Sequence, residues 1–190
     1  PRQQGRGRGG RGGRQGGGRQ GGGKGRGRGG RGHKRGEPQD EFDSVVVDLA
    51  RVTRVMAGGK RMSFRACVLV GDKKGRIGMG VKKGADVQLD VQKSTSYAKK
   101  HLMTVPVVKG TIPHTVHMKF KSASVMLKPG RAGSVIIAGG PVRMVMELAG
   151  IQNIVAKIKG SKNKINNLTA VLHALQELRT ADYIRQVKKS

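Results

Sequence analysis

Cysteine, aromatic side chains and acidic residues are all scarce in this chain of 190 residues. One cysteine, Cys67, excludes a disulfide within the chain and favours a reducing compartment. With no Trp, three Phe and two Tyr, we do not expect nucleic-acid bases to be recognised by stacking on rows of aromatic rings. No apolar run approaches the roughly 20 residues that cross a bilayer, and no secretory apolar segment follows the N-terminus. We therefore predict no membrane partner.

Patterns that support catalysis or metal binding are also missing. His114 and His117 lie in a segment that we predict to be extended, and neither has a nearby Cys or carboxylate at a ligand spacing. The Gly-x-Gly-x-x-Gly match at residues 5–10 falls in a half-glycine segment with no preceding strand, so composition explains it. We predict no catalytic residue, no metal, no cofactor and no small-molecule substrate.

Positive charge is the strongest signal that the sequence does contain. Thirty-nine Lys and Arg stand against eleven Asp and Glu, a formal net charge of +28. A chain this basic needs a polyanion beside it, and phosphate backbones neutralise more charge per unit length than acidic membranes or proteins do. The interpretation favoured by composition is nucleic-acid binding. Residues 1–36 hold ten Arg, two Lys and no acid, so +16 of the +28 belongs to residues 37–190.

The first 40 residues are predicted to be a disordered Gly/Arg-rich tail. Half of residues 1–36 are Gly, and nothing apolar is present to offset the entropy of ordering. Arg-Gly-Gly steps at Arg8, Arg11 and Arg28 are typical of tails that track RNA. A purely solubilising tail is the alternative interpretation. Since numbering starts at Pro1, we expect that an initiator Met has been removed.

From residue 41 onward, hydrophobic periodicity predicts an α+β protein. In chain order the predicted elements are strands 44–54, 62–70 and 77–81, a helix from 86 to about 105, strands 115–121 and 124–128, a helix with Pro141 at its first position and Gly150 just past its end, a strand 154–158 and a helix 165–178. The first part is a βββα unit, and a linker with Pro106 and Pro113 follows it. We predict two small domains, 41–105 and 106–190.

Several Gly-containing basic loops are candidates for RNA contact. In the loop 54–61, Gly58 and Gly59 allow close approach of a phosphate, and the flanking cations supply hydrogen bonds. The segment 71–83 alternates Gly with Lys and Arg, and 128–131 and 157–162 are further basic loops. The candidate RNA-binding residues are Arg54, Gly58, Gly59, Lys60, Arg61, Arg65, Lys73, Lys74, Arg76, Gly78, Gly80, Lys82, Lys83, Lys128, Arg131, Arg143, Lys157 and Lys162. Each loop is alternatively an ordinary solvated turn, and Arg143 alternatively sits in a plain capped helix. The scarcity of aromatics favours recognition of the shape and backbone of double-stranded RNA.

Four motifs in order resemble one known family, the bacterial-type ribosomal protein S5 of the small subunit. They are Arg51–Phe64, Val70–Gly80, Val135–Arg143 and Ala149–Ile154. The resemblance implies an N-terminal domain similar to a double-stranded-RNA-binding fold and a separate C-terminal α+β domain. It further implies a structural, non-enzymatic role in which the protein binds small-subunit rRNA, helps assembly, lies near the mRNA on the side where it enters, and contributes to translational accuracy.

The same resemblance implies partners and a location. The expected neighbours are ribosomal proteins S4 and S8, and the expected place is the cytoplasmic small subunit rather than an organelle ribosome. Two features depart from the family: the tail is longer, and Met56 and Ala57 stand where a basic residue is common, near the spectinomycin site. The alternatives are a free Arg-Gly-type RNA chaperone and an enzyme built on the C-terminal fold.

Overall fold

A computed structural model describes residues 41–189 of the chain, and the predicted disordered tail, residues 1–40, lies outside them. The described part contains eight strands and four helices. In chain order these are β1 (Asp43–Met56), β2 (Gly59–Gly71), β3 (Arg76–Gly84), α1 (Val87–Lys100), β4 (Leu102–Thr104), β5 (Val116–Phe120), β6 (Ala123–Pro129), β7 (Ile136–Ile137), α2 (Gly140–Ala149), β8 (Ile154–Gly160), α3 (Lys164–Gln176) and α4 (Ala181–Lys189).

The first sheet has the order β1-β2-β3-β4, with every neighbouring pair antiparallel. Helix α1 covers one of its faces, where Val68 and Val70 of β2 pack with Ala98. The opposite β3 positions are Gly80 and Gly78, and a Cβ at either would collide with a carbonyl oxygen of α1. These strand glycines therefore exist to let the helix backbone approach the sheet.

The end of α1 differs from the sequence prediction. Apolar spacing predicted a helix as far as residue 105, but α1 ends at Lys100 and residues 102–104 form the edge strand β4. The amide of Val105 donates to the carbonyl of Gly75 at 2.7 Å. Pairing of β4 with β3, together with this hydrogen bond, satisfies backbone groups of β3 and of the turn before it. A helix that continued to residue 105 would leave those groups without these partners.

The second sheet has the order β5-β6-β8-β7, with β7 parallel to β8. Helix α2 begins with Pro141 in its first turn and ends at Gly150, whose φ of 78° lies in the left-handed region that favours Gly. The side chain of Asn163 caps α3 by accepting from the amide of Ile165 at 3.0 Å. These elements match the predicted helices closely, whereas β4, β7 and α4 were not predicted.

Helices α2 and α3 contact both sheets, so the layers run α1, first sheet, α2 with α3, second sheet. One apolar core joins Leu69 of the first sheet to Met146 of α2 and Leu127 of the second sheet. The predicted α+β class is confirmed, with a β-rich N-terminal part and a second βαβ-type part. The domain boundary between residues 105 and 106 stays a prediction. None of the described helices is both long and apolar enough to cross a membrane.

Candidate nucleic-acid interface

The β1–β2 hairpin extends beyond the rest of its sheet. Pairing of β2 with β3 reaches only to Phe64 opposite Gly84, so residues 51–63 form a two-stranded ribbon. Met56 pairs with Gly59, which leaves Ala57 and Gly58 as a two-residue turn. Gly58 has a φ of 90°, the sign that a type II turn requires at its third residue. Gly58 therefore provides the backbone conformation that the turn needs. Its role in letting a phosphate come close stays a prediction.

The ribbon places like charges directly opposite each other. Arg54 pairs in register with Arg61, both side chains are exposed, and Lys60 lies one position nearer the turn. No acidic residue occurs between positions 51 and 63. Like charges at directly opposed positions destabilise a strand pair by a few tenths to about 1 kcal/mol. The arrangement is therefore unfavourable in the free protein and favourable beside a polyanion.

A groove brings the two predicted basic segments together at one end of β3. Arg54 and Arg61 line it with Lys83, in an open space of about 620 Å³. Arg61, Ser63 and Arg65 lie on one face of β2, because alternate residues of a strand share a face. Lys83 pairs in register with Arg65, so this face continues onto β3. Three strands thus supply cations to one concave surface, which we call the ribbon groove.

Arg65 reaches this region with its charge partly neutralised. Its Nη2 lies 3.3 Å from Oδ2 of Asp48, and Lys164 Nζ lies 3.2 Å from Oδ1 of the same carboxylate. Lys164 opens α3, so the network also ties the second half of the chain to β1. Two cations share one anion here, and the network keeps a net positive charge next to the ribbon groove.

Apolar side chains also project from the ribbon. Val55 is 73% exposed, Met62 51% and Met56 46%. Exposed apolar groups beside cations are typical of contact surfaces rather than of surfaces in permanent contact with water.

The other basic residues of segment 71–83 do not join the ribbon groove. Lys73, Lys74 and Arg76 flank the opposite end of β2, about 40 Å from the ribbon turn at 3.3 Å per residue. There the backbone of Lys73 donates to the carbonyl of Leu148 at 2.9 Å, so the turn docks on the end of α2.

Local carboxylates pair with two of these cations, Lys73 and Arg76. Lys73 Nζ lies 2.6 Å from Asp43 Oδ2, a hydrogen bond that raises the pKa of Lys73. Arg76 Nε lies 2.6 Å from Asp72 Oδ2. Burial alone would raise the pKa of Asp72, but hydrogen bonds from Arg76 and from the amide of Lys74 hold it below its ordinary value. This turn is built primarily as an internal joint.

Two predicted RNA contacts need correction. Gly78 and Gly80 of β3 are buried where this strand packs on α1, so the helix backbone occupies the space next to them and a phosphate cannot enter it. These glycines do allow a close backbone approach, but the backbone that approaches is that of α1. Lys82 remains exposed, with its Nζ 3.9 Å from the centre of the Tyr97 ring.

The C-terminal candidates lie on strands as well as loops. Lys128 belongs to β6 and Lys157 to β8, in agreement with the predicted strands 124–128 and 154–158, whereas Arg131 and Lys162 are exposed in the turns that follow these strands. Arg143 is exposed on α2 and pairs with Glu147 at 2.9 Å. Sequence reasoning missed Lys119, which is exposed on β5, and did not single out Lys159, which lies in the predicted basic segment 157–162 and is exposed on β8. The alternation of Lys with apolar residues in both strands was the signal that pointed to them.

Metal binding and thiol chemistry were the two other kinds of site to consider in the described residues. Across residues 41–189, no three His, Cys, Asp or Glu side chains lie where they could hold a metal ion. Burial, followed by the negative charge of Asp48, raises the pKa of Cys67 to about 11. The thiol therefore stays protonated at neutral pH and is a poor nucleophile.

An α+β scaffold that presents exposed cations on an extended ribbon belongs to the class of structural RNA-binding proteins. Residues 42–106 match the family described as ribosomal protein S5, N-terminal domain, and residues 118–189 match ribosomal protein S5, C-terminal domain. The chain therefore belongs to the ribosomal protein S5 family, and it is a structural ribosomal protein and not an enzyme.

Individual relatives agree with this assignment. The small ribosomal subunit protein uS5 of Mycoplasmopsis agalactiae is 46% identical over 154 residues, which is 80% of this chain and 67% of the relative. The uS5c protein of Porphyra purpurea is 47% identical over 77% of this chain and 85% of its own length. For uS5 of Thermus thermophilus the identity is 40%, over 80% of this chain and 94% of the relative.

Proposed function

We propose that this chain is a constituent of the small ribosomal subunit and binds its rRNA through the ribbon groove. The observation that carries the proposal is the direct opposition of Arg54 and Arg61 on an exposed ribbon without acid. A strand pair that opposes like charges gains stability when phosphates lie between or beside them. The names of the relatives, which are small-subunit proteins, support the same assignment.

The ribbon is suited to the backbone of RNA rather than to its bases. Its cations are flexible and exposed, and no Tyr or Trp lies on it for stacking. We assign phosphate contacts to Arg54, Lys60, Arg61 and Lys83. Val55 and Met56 at the tip then fill apolar space against sugars or base edges.

The finer role follows from the family and is part of the proposal. We infer that the protein helps assemble the subunit, lies near S4 and S8 and near the mRNA on the side where it enters, and contributes to translational accuracy. Relatives include the uS5 protein of Synechococcus elongatus and the uS5c protein of Porphyra purpurea. We propose the cytoplasmic ribosome as the location. The Arg-Gly tail is proposed to bind rRNA in addition.

The salt dependence of rRNA binding tests the ribbon assignment. The full chain and the variant R54Q/K60Q/R61Q are titrated with a small-subunit rRNA fragment across a salt series. Each lost phosphate contact should flatten the slope of log K against log salt by about 0.7–0.9, so three should flatten it by about 2–3.

A control with the same loss of charge separates a site from a general effect of charge. Lys93, Lys100 and Lys109 are exposed and lie outside the ribbon, so K93Q/K100Q/K109Q removes three charges elsewhere. We expect this variant to keep most of the original slope. Equal flattening in both variants would show that net charge, not the ribbon, governs binding.

A further inference from the structure

The outer face of the second sheet is unusually basic. Helices α2 and α3 lie on the inner face, where Val116, Val125 and Ile154 are buried. Alternation places the next residues of each strand on the outer face. On β5, β6 and β8 the exposed members of this face are His117, Lys119, Lys128, Lys157 and Lys159, and we call them the outer lysine face. Ile137 of the edge strand β7, which is 58% exposed and pairs with Val155, lies at the border of this face.

Strand register brings the lysines into a compact array. Lys119 and Lys159 both pair with Ser124, one from each side, so they stand about 10 Å apart across β6. Lys157 lies two residues before Lys159, about 7 Å along β8. Lys128 is a diagonal neighbour of Lys157, because Lys157 pairs with Met126.

No acid offsets this charge. Between Asp90 and Glu177 the sequence has one acidic residue, Glu147, which is on α2 and pairs with Arg143. None of the three strands of the face contains an Asp or Glu. Four ammonium groups gathered on one sheet face repel one another unless an anion lies on them.

The composition of the face indicates what covers it. Protein interfaces are depleted of Lys at their centres and enriched in aromatic residues, the opposite of what this face presents. Single-stranded RNA sites use aromatic side chains on which bases stack, and apart from His117 the face has none. A regularly charged duplex backbone needs only flexible cations at intervals of several ångströms.

We propose that the outer lysine face is a second RNA-binding surface, separate from the ribbon groove, which holds the backbone of an RNA duplex. The inference rests on the proposed binding to rRNA. Because the second sheet is the last layer of the molecule and the ribbon extends from the first sheet, the two surfaces contact different RNA segments. The protein thus joins two parts of the RNA instead of clamping one.

The test uses the full chain, four variants that remove charge and the charge-preserving variant K119R/K157R/K159R. K119Q/K157Q/K159Q removes the face, R54Q/K60Q/R61Q removes the ribbon, and the combination removes both. The fourth variant, K93Q/K100Q/K109Q, is the control for charge. Each is titrated against complete small-subunit rRNA over a salt series, and hydroxyl-radical footprints are recorded. Thermal unfolding checks that each variant is folded.

We expect the face variant to flatten the salt slope by about 2–3. Between about 50 and 200 mM salt, the affinity of the face variant should therefore fall by a factor roughly 30 times smaller than the affinity of the original chain. In the footprints, the face variant should leave unprotected an RNA segment that the ribbon variant still protects. K119R/K157R/K159R should restore both the original salt slope and the protection of that segment. The combined variant should show the sum of the two losses.

Other results would overturn the inference. If the face variant behaves like the control, or uncovers the same nucleotides as the ribbon variant, a second surface does not exist. The same variants are also titrated against polyglutamate, and a face variant that loses polyglutamate binding while its RNA binding is unchanged would assign the face to an acidic protein. If the ribbon substitutions leave RNA binding unchanged while the face substitutions weaken it, the ribbon assignment is refuted and the outer lysine face remains supported.

Discussion

Replacing Arg61 with Gln should move stability and RNA affinity in opposite directions. Arg61 is directly opposite Arg54, so the variant removes a like-charge strand pair and should raise the free energy of unfolding by about 0.2–1 kcal/mol. For a folded part of about 150 residues this raises Tm by roughly 1–3 °C. Loss of one charge-assisted hydrogen bond to phosphate, about 1.5–3 kcal/mol, should weaken rRNA binding by roughly 10- to 100-fold.

A double-mutant comparison makes the argument sharper. Arg54→Gln should raise Tm by the same amount, and R54Q/R61Q by no more than either alone, because one substitution already removes the repulsion. Losses in RNA affinity should instead accumulate. Lys60→Gln is the matched control, since its cross-strand partner is Val55, and it should weaken binding without raising Tm. Low-salt thermal unfolding and RNA titrations measure both quantities, and a Tm that falls in R61Q, or rises equally in K60Q, would refute the reasoning.

Three further predictions concern the scaffold. Gly80→Ala places a Cβ against the carbonyl oxygen of Ser94. Chemical denaturation should therefore show a loss of stability of about 1–3 kcal/mol. Gly58→Ala meets no neighbouring atom but keeps a positive φ, so a loss of about 1–2 kcal/mol with unchanged core spectra is expected. The lowered pKa of Asp72 contributes stability that is full above its ordinary value of 3.8 and disappears as pH falls through the folded value. Asp72→Asn should therefore destabilise by about 1 kcal/mol at pH 7 and by progressively less as the pH falls below 3.8, and a difference that stays constant with pH would contradict this.

Local patterns predicted the elements well where they were long. Alternation from Val45 onward indicated β1, and Pro141 with Gly150 marked the two ends of α2. Short elements such as β4 and β7 have too few residues for any period to show. Their positions depend on pairing with strands that are distant in sequence, such as the pairing of Ile136 with Ile154 in the parallel β7–β8 ladder.

The candidate site was predicted in composition and only partly in geometry. Glycine between cations suits a phosphate loop and a helix-packing strand equally well, and only the fold shows that Gly80 serves α1. Which cations share a face depends on register. Register brought Lys83 to Arg61, separated Lys73 from both, and aligned Lys119 with Lys159.

Sedimentation of the tagged full chain from lysate through a salt-containing density gradient tests the central claim most directly. A constituent of the small subunit should migrate with small-subunit rRNA and remain there at salt concentrations that strip loosely bound basic proteins. R54Q/K60Q/R61Q should leave that fraction at lower salt than the matched K93Q/K100Q/K109Q variant. A chain found at the top of the gradient, or spread over all RNA without preference for the small subunit, would contradict the account.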